Sequence, residues 1–70
     1  MAKKQVKDLS RSEISSLIDE WILSERNRMI IKRRLLDGVT YERLAEEFDM
    51  SVRQIKNIVY DSEKRIYAKI

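Results

Sequence analysis

The chain has no cysteine, no histidine and no proline, and only one glycine in 70 residues. Without cysteine there is no disulfide and no thiolate chemistry, and without cysteine or histidine the common zinc-ligand sets are excluded. A carboxylate-only metal site has no supporting cluster. Serine has no histidine to activate it as a nucleophile, and the lone glycine excludes a glycine-rich phosphate loop. Neither an enzyme nor a cofactor is therefore expected. No apolar run approaches the roughly 20 residues needed to span a bilayer, and no signal-peptide core is present. The expectation is a cytoplasmic protein with no membrane association. Lacking proline, the chain has no forced helix breaks, and with one glycine it has few turns of positive φ. An all-α fold follows.

Hydrophobic residues make up 43% of the chain and charged residues 39%, as short amphipathic helices around one small core require. The net charge is only +3, but it is distributed in blocks. Residues 1–11 are net basic, 12–24 acidic, 25–36 basic, 37–50 acidic and 51–70 basic. Such blocks serve equally as solvated faces that attract their neighbours or as basic segments aimed at a polyanion, and charge alone does not choose.

Caps and periodicity predict four helices in one domain over residues 10–70, preceded by a flexible arm over 1–9. The first helix starts at Ser10 or Ser12, with Ser10 and Glu13 at capping-box spacing. Ile14, Leu17, Ile18, Trp21 and Ile22 form its apolar stripe, with Trp21 as a core anchor. The second starts after Ser24 and presents Met29, Ile30, Ile31, Leu35 and Leu36 as a broad apolar face, with Gly38 ending it in the left-handed conformation. Thr40 caps a short third helix from Tyr41 to about Phe48, and Ser51 caps a fourth from Val52 to Tyr67. Val52, Ile55, Ile58, Ser62, Val59 and Ile66 supply the inward face of the fourth.

A short helix, a tight turn and a longer helix make a helix-turn-helix over residues 41–60. The close crossing of its helices needs a small residue, which Ala45 supplies. Leu44 and Phe48 flank it, Met50 fills the turn, and Ile55 and Ile58 pack back from the second helix. The turn position where glycine is usual holds Asp49, a residue that tolerates left-handed geometry better than most.

Residues 38–66, GVTYERLAEEFDMSVRQIKNIVYDSEKRI, resemble region 4 of the sigma-70 family of transcription factors. The matching residues are Gly38, Thr40, Tyr41, Leu44, Ala45, Ser51, Ile55, Lys56 and Ile58, and SERNRMIIKRRLLDG upstream resembles the preceding helix. Asp49 and Val52 depart from the pattern. The resemblance implies a small, phage- or mobile-element-like DNA-binding regulator that reads the major groove with the fourth helix. Base contacts would fall to Arg53, Lys56 and Asn57, with Gln54 at the margin and Val52 against a thymine methyl. Phosphate contacts would fall to Thr40, Arg43, Ser51, Arg33, Arg34, Tyr60 and Lys64. Each arginine also has an internal alternative: Arg33 and Arg34 with Asp37, Glu46 or Glu47, and Arg43 with Glu46 or Glu47.

Double-stranded DNA is the expected partner. One motif offers few base contacts, so a homodimer reading two half-sites about one DNA turn apart is expected, with the Trp21 helix as its contact. The competing function is an interaction module that touches RNA polymerase or a sigma partner, or the DNA-recognition part of a phage packaging subunit. A full sigma factor is not expected, because 70 residues hold no second DNA-reading region.

Overall fold

A computed structural model describes residues 9–69. Four helices follow one another: α1 Arg11–Trp21, α2 Glu25–Leu35, α3 Tyr41–Glu47 and α4 Val52–Tyr67. Each opens on an expected cap. The Ser10 and Ser24 hydroxyls accept the amide N–H of Glu13 and Asn27, and those of Thr40 and Ser51 accept the N–H of Arg43 and Gln54. Glu13 returns its carboxylate to the Ser10 amide, completing the predicted capping box.

The core is almost wholly aliphatic. Ile14, Ile18 and Ile22 enter it from α1 and the residue after it, Ile30 and Ile31 from α2, Leu44 and Ala45 from α3, and Ile55, Val59 and Ile66 from α4. Each large aliphatic side chain buried this way contributes on the order of 1.5–3 kcal/mol. The fourth helix packs against each of the other three, so its inward stripe of Ile55, Val59, Ser62 and Ile66 is the seam of the molecule. Ion pairs add ties between helices at the surface. Lys32 of α2 meets Asp19 of α1 at 2.7 Å, and Arg11 donates to the Leu36 carbonyl at 2.6 Å and pairs with Asp37.

Two expectations need correction. Trp21 is not a core anchor: it is 37% exposed, with the Lys69 ammonium 4.1 Å from its ring centroid. Met29 does not join the covered face of α2 but is 53% exposed. Both lie at the margin of an apolar stripe wider than the strip its neighbours cover. The arm expected over residues 1–9 lies outside the described residues except at Leu9, which packs partly against the core. Ile58 and Val52, expected inward, reach the core only in part.

Candidate nucleic-acid interface

The α3–turn–α4 unit follows the demands of its crossing. Leu44 is fully buried, Ala45 lies at the contact, and Phe48 and Met50 close over it in part. The third helix ends one residue earlier than expected, with Phe48 as its C-cap. Asp49 then takes φ +53°, its amide donates to the Glu46 carbonyl at 3.4 Å, and the Met50 amide donates to Ala45 at 2.9 Å. That pair of bonds is a Schellman closure, with aspartate in the left-handed position usually held by glycine. The chain turns again within one residue. Ser51 accepts the Gln54 amide at 3.1 Å while the Gln54 side-chain oxygen accepts the Ser51 amide at 2.9 Å. This second capping box fixes the start of α4; the Ser51 cap was expected and its Gln54 partner was not.

Opposite the buried stripe of α4 runs an exposed one. Arg53, Asn57, Tyr60 and Lys64 repeat the i, i+4, i+7, i+11 spacing of Ile55, Val59, Ser62 and Ile66, displaced by two residues. Two residues at about 100° each place the stripes on opposite sides of the helix. The Arg53, Asn57 and Lys64 side chains are exposed, with no hydrogen bond or ion pair among the described residues. Gln54 keeps its amide donor while its oxygen serves the cap. Val52 is half-buried against the core, so its methyls are largely committed inward. Lys64 with Arg65 also lies in the last turn, where cations offset the negative end of the helix.

The basic residues of α2 are placed differently. Arg33 forms a two-pronged pair with Glu47 of α3 and lies 3.7 Å from Asp37. The Glu47 hydrogen bond and charge raise the Arg33 pKa, and the same bond holds the Glu47 carboxyl below its ordinary value. Arg43 of α3 also reaches Glu47, at 3.4 Å. Arg34 donates to the Val39 carbonyl at 3.0 Å, bracing the α2–α3 turn in which Gly38 takes φ +67°. Arg33, Arg34 and Arg43, all expected at phosphate, thus have internal partners. The Thr40 and Ser51 hydroxyls act as cap acceptors and each keeps its proton for donation.

Tyr41 joins these two sets of cations. The Arg34 guanidinium carbon lies 4.3 Å from its ring centroid and the Lys56 ammonium 5.6 Å, and the Tyr60 ring meets it edge to face at 6.3 Å and 79°. Cation–π contacts of this kind contribute roughly 0.5–1 kcal/mol at exposed sites. Close by on α4, burial pushes the Glu63 carboxyl above its ordinary range, an effect the Arg34 charge partly offsets. Neither the hub role of Tyr41 nor the partly buried Glu63 was foreseen. Both depend on how α2, α3 and α4 cross, which no local spacing records.

Two further surfaces are open. An acidic shelf on α3 is formed by Glu42, Glu46 and Glu47 beside Arg43. A cleft of 330 Å³ lies between the α1–α2 turn and α4, lined by Leu23, Asn27, Ile58, Asp61 and Arg65 among others. Among the described residues no cluster of carboxylates could hold a metal ion, and no helix is long and apolar enough to cross a membrane.

The family model described as "Sigma-70, region 4" matches residues 22–67, from the residue after α1 to the last residue of α4. No curated protein and no solved structure matches the chain.

Proposed function

Since the chain belongs to the sigma-70 region 4 family of helix-turn-helix DNA-binding domains, we propose that it is a small transcriptional regulator that reads the major groove of duplex DNA with the N-terminal half of α4. One observation carries this reading: Arg53 and Asn57 stand exposed and unpartnered among the described residues, on the side of α4 opposite the core. Arginine offers two donors to guanine O6 and N7, and asparagine a donor and an acceptor to adenine N7 and N6. Gln54 lies at the edge of this face. Around it, the Thr40 and Ser51 hydroxyls, Arg43, Tyr60 and Lys64 are the phosphate contacts of the proposal. Arg33 and Arg34 act on the DNA only through the field of partly neutralised charges.

The protein would act where bacterial DNA is transcribed, in the cytoplasm. A second copy is part of the proposal, because a single reading helix contacts few base pairs. Leu23, 83% exposed beside the exposed Trp21, supports an apolar contact at the α1–α2 turn. Titration of a labelled duplex recovered from a random pool, repeated over a salt series, tests the reading. Binding that weakens linearly in log–log form as salt rises is expected. Binding indifferent to salt, or none, would overturn it, and loss of recruitment to RNA polymerase with DNA affinity unchanged on charge reversal at Arg53 and Lys56 would favour a protein-contact role instead.

A further inference from the structure

We propose that Tyr41 is a positioning residue that holds Lys56 on the phosphate backbone beside the groove, leaving the base edges to Arg53 and Asn57. The inference rests on the DNA reading proposed above and divides its labour. On α4, Lys56 does not share the outermost stripe: it is about 100° round the helix from Asn57, and its ammonium lies 5.6 Å from the Tyr41 ring centroid on α3. In a helix-turn-helix the first helix crosses the backbone while the start of the second enters the groove. A cation leaning from the second helix onto the first residue of the first helix is therefore placed at the groove wall and not at its floor.

The ring that draws Lys56 aside is itself held. Arg34 packs 4.3 Å from the same centroid, with its guanidinium fixed by the Val39 carbonyl at 3.0 Å, and the edge of Tyr60 closes on it at 6.3 Å. Three helices thus fix one aromatic surface. Lys56 contacts no carboxylate among the described residues, so its full charge remains for a phosphate. Arginine would behave differently in its place, because its planar fork can pair with guanine, whereas lysine acts as a point charge.

The test uses the full chain, the duplex recovered by selection and a scrambled duplex, each titrated over a salt series. Lys56→Met should weaken both duplexes by the same factor, reduce the slope of log affinity against log salt by about one, and leave the selected sequence unchanged. Tyr41→Leu should reproduce that slope loss and add nothing in the Lys56→Met background, while Tyr41→Phe, which keeps the ring, retains the wild-type slope. A changed base preference with an unchanged slope in Lys56→Met would overturn the assignment. Additive losses, or a Tyr41→Phe slope matching that of Tyr41→Leu, would overturn the positioning role. Thermal melts accompany each variant. Should Tyr41→Leu not fold, Lys56→Met still decides the phosphate assignment, since base and phosphate contacts leave opposite signatures, and a Tyr41→Phe slope as low as that of Lys56→Met would still overturn the positioning role. Wild-type protein without salt-sensitive binding would instead sink the DNA reading itself.

Discussion

The second and fourth helices are both basic, yet their cations do different work. On α2, Lys32 is paired with Asp19, Arg33 with Glu47 and Asp37, and Arg34 with the Val39 carbonyl and the Tyr41 ring. On α4, Arg53, Lys56, Lys64 and Arg65 make no ion pair among the described residues. The difference follows from position. The second helix lies between an acidic first helix and an acidic third, so Lys32 is met by Asp19 on one side and Arg33 by Glu47 on the other. The outward face of α4 meets no carboxylate until Asp61, two turns in. The alternating charge blocks, which taken alone fitted either a self-neutralising surface or a polyanion-binding one, are thus both: Lys32 and Arg33 of α2 are met by carboxylates, and the cations of α4 are not.

Substitutions can break or sharpen this contrast. The largest expected effect is on α4. Arg53→Ala should lose about 1–3 kcal/mol of discrimination at one base pair, measured by competition between the selected duplex and single-base variants. Its melting curve should stay within about 0.5 kcal/mol of the wild type, as for a surface residue without partners. On α2 the outcomes are exchanged. Arg33→Ala should lower the melting temperature by loosening α2 from α3, while base preference, read from the same competition, stays as in the wild type. Equal loss of discrimination from both variants would dissolve the distinction.

Acid sharpens the α2 side further. The Arg33 hydrogen bond holds the Glu47 pKa below the ordinary carboxylate range, so the pair contributes fully above that range and its contribution is lost as pH falls through the lowered folded value. Denaturant melts between neutral pH and pH 3 should show this acid limb in the wild type and a shallower one in Arg33→Ala. The smallest effect falls where the helices meet. Burial raises the Glu63 pKa, so its charge costs stability at neutral pH, and the cost is relieved as pH falls through the raised folded value. Glu63→Gln should stabilise the fold at pH 7 by well under about 1 kcal/mol, with that gain vanishing in melts near pH 4.

Much of the fold was legible because it rests on local chemistry. Ser10, Ser24, Thr40 and Ser51 mark every helix start, α4 spans the expected Val52–Tyr67, and Gly38 and Asp49 both take positive φ. What could not be read depends on how the helices cross. Periodicity marked Trp21 and Met29 as apolar without telling which edge of each stripe lies beyond its neighbours' reach. The partner of Arg33 lies 14 residues away on α3, and sequence spacing admitted Asp37, Glu46 and Glu47 alike. On the candidate site, the exposure of Arg53, Lys56 and Asn57 on α4 was legible from its spacing. The sideways lean of Lys56 onto Tyr41 was not, because the two residues meet only once α3 has crossed α4.

The central claim made of this protein is that the free face of α4 reads sequence. Selection of duplexes from a random pool by wild-type protein and by Arg53→Ala, at one salt concentration, asks this directly. The wild type should return a defined site, and Arg53→Ala the same site with one base pair relaxed. An identical site at full information from both proteins would contradict the claim that Arg53 and its stripe do the reading.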